Sequence, residues 1–122
     1  MKKIALIDDN QDMISTIIYS IEDIDKNLKI IGFTNPKKFE EDTKKNKYDL
    51  ILLDIMMPKL NGWDLFSIIK NSENKNKDTP IIFLTAKVDE QSIKLGRYAS
   101  DSYITKPFET KDLVKEIYKY LK

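Results

Sequence analysis

A chain of 122 residues with 21 Lys and Arg against 20 Asp and Glu has a formal net charge of +1, which gives no global field to draw nucleic acid or an anionic membrane. It contains no cysteine and no histidine, so a disulfide framework, a thiolate nucleophile, a Cys-based zinc site and any Ser-His-Asp triad are excluded. With 41% hydrophobic and 34% charged residues, it reads as one soluble globular domain over 1–122, whose chemistry must run on carboxylates, hydroxyls, lysine or a hard cation.

The first apolar run, Ile4 to Ile7, stops at Asp8-Asp9 and is too short for the hydrophobic region of a signal peptide. Ile14, Ile17, Ile18 and Ile21 then fall at i, i+3, i+4 and i+7, one stripe of an amphipathic helix. A second strand is predicted over Lys29 to Phe33, and Pro36 is placed to open a short, otherwise polar helix carrying Phe39. Leu50 to Leu53 is apolar throughout and ends at Asp54, as expected of a parallel strand buried on both faces. A turn with Pro58 and Asn61-Gly62 leads to a helix that can turn Leu65, Phe66 and Ile69 to the sheet. Asn71 to Asp78 is polar and aperiodic, so it reads as a loop. The strand Ile81 to Leu84 stops at Thr85. A fourth helix, about Asp89 to Tyr98, has few apolar residues and a glycine, Gly96, that weakens it by ~1 kcal/mol relative to alanine; it is expected to be the most mobile. Tyr103-Ile104-Thr105 forms the fifth strand and stops at Lys106-Pro107, and a last helix presents Leu113, Val114, Ile117 and Leu121. Five such repeats predict an α/β domain with a parallel sheet and helices on both faces. No segment approaches the length of a membrane span, and a cytoplasmic location is expected.

The strand ends carry the chemistry. Ligands of open α/β sheets bind at the carboxyl edge, and a strand order such as 2-1-3-4-5 would gather Asp8, Asp9 and Asp54 there. Two unit charges ~4 Å apart at an effective dielectric near 20 cost ~4 kcal/mol, so the site should take up protons or bind a cation. Oxygen-only ligands in a site that keeps several waters favour Mg²⁺. Lys106 would add a fixed cation and Thr85 a hydroxyl, a set able to neutralise a phosphoryl group. Asp54, alone at the tip of the central strand, is the best nucleophile, since aspartate is an acceptor of phosphoryl groups in covalent catalysis. Taken singly, Asp8-Asp9 would be a helix cap, Thr85 a β-branched strand end and Lys106 a loop lysine; their joint placement reverses those readings. Lys37, Lys38, Lys44, Lys45 and Lys47 read as the coat of a solvated helix.

The set Asp8-Asp9, Asp54-Ile55-Met56-Met57-Pro58 with Gly62, Thr85-Ala86 and Lys106-Pro107-Phe108 resembles, over essentially the whole chain, the receiver domains of two-component response regulators of the chemotaxis-regulator (CheY-like) type. The resemblance implies a flavodoxin-like (βα)5 domain with strand order 2-1-3-4-5. It implies that Asp54 is the phosphoacceptor, taking phosphate from a sensor histidine kinase or phosphotransfer protein to give 4-aspartylphosphate. It implies Mg²⁺ on Asp9, Asp54 and the Met56 carbonyl, with Asp8 reaching the metal through water. Thr85 is similar to the switch hydroxyl, Lys106 to the lysine that pairs with phosphate through a cis Lys106-Pro107 bond, and Tyr103 to the aromatic that turns inward when Thr85 moves. The surface of the fourth helix, fifth strand and fifth helix would then engage a downstream target or a fused output domain. Such a domain is no metabolic enzyme; its catalysis is limited to phosphoryl transfer to itself and autodephosphorylation, and it binds neither membrane nor, directly, nucleic acid. Asn61, where an aspartate is common, and Ala99-Ser100-Asp101-Ser102, which lacks the usual glycine, depart from the family pattern and bear on partner choice. Three rivals are weaker. A flavin or nucleotide binder would need a Gly- or Ser-rich loop where Asp8-Asp9-Asn10-Gln11-Asp12 stands. A haloacid-dehalogenase phosphatase would need an aspartate at position 56. A phosphate-independent receiver-like interaction module would be expected to lack a pocket residue.

Overall fold

Two acids and then Asn10 end the first apolar run, and this is where the chain turns from strand to helix. The computed structural model describes residues 1–54, 62–71, 73–85, 102–105 and 107–121. Strand β1 (Lys2–Ile7) leads to helix α1 (Gln11–Ile24), β2 (Leu28–Phe33), α2 (Pro36–Lys45), β3 (Leu50–Asp54), α3 (Gly62–Ile69), β4 (Ile81–Thr85), β5 (Ser102–Thr105) and a C-terminal helix (Thr110–Tyr120). All strands run parallel, in the order β2-β1-β3-β4-β5, the flavodoxin-like arrangement expected. The fourth helix, Asp89 to Tyr98, and the Lys106-Pro107 bond lie outside the described residues.

The central strands are apolar on both sides because both sides are covered. Ile4, Leu6, Leu50, Leu52, Ile82 and Leu84 pack with Ile14, Ile17 and Ile21 of α1 and Leu113 and Ile117 of the C-terminal helix. Ala5, Ile7, Ile51, Leu53, Ile81 and Phe83 pack on the opposite face with Phe39 of α2 and Leu65 and Ile69 of α3. Alternate residues of one strand thus enter different cores. Gly32 stands where α1 crosses β2: a Cβ there would fall on Ile14 Cγ2 and lie 3.1 Å from Ile18 Cδ1.

Side-chain caps start α1 and α2, whereas Glu109 precedes the C-terminal helix without a side-chain cap bond. Asn10, not Asp8 or Asp9, caps α1, its Oδ1 accepting from the Met13 N–H at 3.1 Å. Asn35 caps α2 by accepting from the N–H groups of Lys37 and Lys38, at 2.9 and 3.2 Å, with Pro36 in the first turn. Such caps satisfy amides that have no partner inside the helix.

The segment Asn71 to Asp78 is more than a solvated loop, since Asn74, Asn76 and the following Thr79 are buried. The Asn76 amide donates to the carbonyls of Thr43 and Asn46, both at 2.8 Å. Its oxygen accepts from the Tyr48 N–H at 2.8 Å and the Thr79 hydroxyl at 3.0 Å. Asn74 donates to Thr43 Oγ1 at 3.2 Å. One side chain therefore ties the end of α2 to the entry of β4 and uses its full hydrogen-bonding capacity. Burial, reinforced by a hydrogen bond from its hydroxyl to Asp42, raises the pKa of Tyr48. On the far side, Tyr118 of the C-terminal helix donates to Asp25, which caps the end of α1; that bond lowers the Asp25 pKa and raises that of Tyr118.

Candidate functional site

The carboxyl edge of the sheet is acidic because three strand-end positions converge on it. The Asp8 N–H donates to the Phe33 carbonyl at 3.1 Å, which extends the β1–β2 ladder one residue past β1. The Asp8 side chain is 2% exposed, and its Oδ1 accepts from the Asn10 N–H at 3.0 Å. Asn10 thus both caps α1 and fixes the acid before it. Nothing in the sequence marked it for this except its place between two acids and a helical stripe. Ile7 pairs with Leu53 across β1 and β3, so Asp8 and Asp54 are the next residues along adjacent strands. Asp54 ends β3 at 4% exposure, while Asp9 is exposed.

Oxygen atoms of Asp8, Asp9 and Asp54 all lie within 4.8 Å of one another. Each pair of charges at that separation costs about 3.5 kcal/mol at an effective dielectric of 20. Desolvation of two of the three carboxylates by the fold sharpens the repulsion. A divalent cation relieves it, and an all-oxygen donor set suits a hard ion such as Mg²⁺. The residues present therefore fit the metal that the sequence implies.

The remaining site residues are distributed around this cluster. Thr85 ends β4; Asp54 pairs with Leu84, and Thr85 pairs with Thr105 of β5, so its backbone stands at the same edge. Tyr103 pairs with Phe83 in the ladder and packs, half-buried, against the core cluster on the α2 and α3 face. Met56 and Lys106 lie outside the described residues, as do Ala86 and Asn61. Met13, Thr16, Ile17 and Ser20 of α1 face Pro107, Phe108 and Thr110 across a groove of about 450 Å³ lined mainly by apolar atoms.

A doubly wound parallel sheet with three acids at its carboxyl edge defines the class, and the chain belongs to the response regulator receiver domain family, whose sequence model matches residues 4–118. Among its relatives it is 36% identical over 120 residues to the response regulator ArlR of Staphylococcus saprophyticus, an alignment covering 96% of this chain and 51% of that protein. The chain spans about half the length of the curated relatives it matches. Its fold is similar to that of the receiver domain of the Francisella response regulator 1452, with a TM-score of 0.86, 27% identity and coverage of 98% of this chain and 96% of that one. The response regulator TrrA of Thermotoga maritima, solved in complex with Mg²⁺ and BeF, gives a TM-score of 0.84 at 29% identity, covering 99% and 100% of the two chains. Among the described residues no helix is long and apolar enough to cross a membrane.

Proposed function

We propose that this receiver is a phosphorylation switch whose acceptor is Asp54, and that the phosphoryl donor is the phosphohistidine of a sensor kinase or phosphotransfer protein. The observation that supports this most directly is the 4.8 Å cluster of Asp8, Asp9 and Asp54, with Asp54 at the buried end of the central strand. An Asp54 carboxylate oxygen attacks phosphorus in line with the departing nitrogen. The P–O bond forms, the donor's N–P bond breaks, and the imidazole leaves with its electron pair and takes up a proton. Mg²⁺ held by Asp9, Asp54 and the Met56 carbonyl, with Asp8 acting through water, would supply charge neutralisation for the phosphoryl oxygens. That TrrA was solved with Mg²⁺ and BeF supports such a metal in a relative of this chain. Lys106 would pair with the phosphoryl group and Thr85 would bond one of its oxygens.

The donor must approach the edge where Asp54 ends, and α1, which follows Asp8 and Asp9, shares an apolar groove with Pro107-Phe108, which follow β5. That groove suits an apolar helix face of the donor protein, which would bury the groove while presenting its phosphohistidine to Asp54. Thr85 and Tyr103 then pass the modification to the surface of the fourth helix, β5 and the C-terminal helix, where a target protein or fused output domain responds in the cytoplasm. Catalysis is confined to phosphoryl transfer to Asp54 and its later hydrolysis.

Intact mass after incubation with Mg²⁺ and acetyl phosphate or phosphoramidate tests this. One added phosphoryl group is expected in the parent and none in Asp54→Asn or without Mg²⁺. Equal labelling of the variant would overturn the assignment, and no labelling with either donor would favour a phosphate-independent interaction module.

A further inference from the structure

Strand β2 lies at one margin of the sheet and, among the described residues, pairs only with β1. The carbonyls of Asn27 and Phe33 accept from the N–H groups of Lys2 and Asp8 in that pair. Backbone groups alternate along a parallel strand, so the odd-numbered residues of β2 face β1, while Leu28, Ile30 and Gly32 direct theirs outward. A row of outward N–H and C=O groups is a template for another strand. Two of these three donors are engaged from the α1 side. Leu28 N–H donates to the Asp25 carbonyl at 3.4 Å, and Ile30 N–H, at the middle of the strand, donates to Glu22 Oε2 at 3.1 Å. Glu22 sits in the last turn of α1, half-buried. The packing of Ile14 and Ile18 at Gly32 sets how near α1 lies to this margin.

We propose that Glu22 guards the open margin of the sheet against a second copy of this chain. A two-fold axis beside β2 would let two β2 strands pair antiparallel, a self-complementary contact that joins two sheets into one. To pair there, the incoming strand must displace the Glu22 carboxylate from the Ile30 amide and strip water from its charge, and that desolvation opposes association. Glu22 is thus a positioning residue for the monomeric state.

Amide exchange and sedimentation equilibrium test the proposal together. In the parent, the Ile30 amide should exchange roughly tenfold more slowly than that of Gly32, although both face outward. In Glu22→Ala that difference should vanish, the protein should self-associate as its concentration rises, and the Gly32 amide should become protected in step with association. Glu22→Gln keeps an oxygen acceptor for the Ile30 amide but loses the charge, so it should retain the slow exchange of Ile30 and self-associate less than Glu22→Ala but more than the parent. The proposal fails if Glu22→Ala stays monomeric at every concentration, or if it associates while Gly32 remains unprotected. It fails equally if Ile30 and Gly32 exchange alike in the parent, a measurement that needs no variant to fold.

Discussion

Asp54→Asn should make the metal-free domain more stable. With carboxylate oxygens within 4.8 Å of one another each pair costs at least about 3.5 kcal/mol at an effective dielectric of 20, and Asp54 belongs to two of the three pairs, so ~7 kcal/mol of bare repulsion is relieved on removing its charge. The exposed Asp9 is screened by solvent, and asparagine accepts hydrogen bonds less well than a carboxylate, which leaves a net gain of roughly 1–3 kcal/mol. For a domain of this size each kcal/mol moves Tm by about 3–6 °C. Thermal and urea unfolding in the presence of a chelator should therefore place the variant well above the parent. If the acid cluster holds Mg²⁺ as proposed, excess Mg²⁺ should bind the folded parent more tightly than the variant and stabilise it by mass action, so the gap should narrow or reverse. A variant no more stable than the parent in chelator, or a gap untouched by Mg²⁺, would refute the account of this pocket as a strained cluster relieved by metal.

Asn76→Asp is nearly isosteric, but it turns a carboxylate toward the carbonyls of Thr43 and Asn46, and urea titration should show a loss of ~3–5 kcal/mol. Gly32→Ala must push Ile14 and Ile18, and overpacking of this kind should cost ~1–3 kcal/mol in the same assay. The bond between Tyr118 and Asp25 lowers the acid's pKa and raises the phenol's, so the two contributions fail in opposite directions. The Asp25 part is present above the ordinary carboxylate range and lost as pH falls through its lowered value. The Tyr118 part is present below the ordinary phenol pKa, about 10, and lost as pH rises through its raised value. The Tm difference between the parent and Tyr118→Phe should accordingly be flat near neutrality and shrink at both ends of the pH scale; a constant difference throughout would show that the pair does not couple to folding.

The strands were legible because parallel strands covered on both faces are written as unbroken apolar runs, and Ile4 to Ile7, Leu50 to Leu53 and Ile81 to Leu84 are such runs. Their endings, Asp8-Asp9 and Asp54, announced the acid cluster for the same reason: a charge after an apolar run marks the carboxyl edge. The second strand begins one residue earlier than its pattern indicated, at Leu28, since the bend after α1 leaves little signal. The polar stretch Asn71 to Asp78 hid its burial, because Asn74 and Asn76 are held by hydrogen bonds and carry no hydrophobic periodicity. Glu22 carries no signal in the sequence, because its bond to Ile30 depends on where β2 comes to lie. Of the expected pocket, Met56 and Lys106 fall outside the described residues, and the roles given to them rest on sequence.

Leu52 belongs to the core under α1 and the C-terminal helix, whereas Leu53, its neighbour in the chain, belongs to the core under α2 and α3. Energetic kinship in this domain therefore follows the faces of the sheet rather than the order of the residues. Leu52 and Ile82, distant in sequence, share one compartment and would compensate or aggravate each other's substitutions, while Leu52 and Leu53 contribute nearly as strangers. Tyr103 and Ile104 part in the same way to the two sides. Sequence drift could thus rework the side that carries α2 and α3 while the packing of α1 against the C-terminal helix stayed as it is.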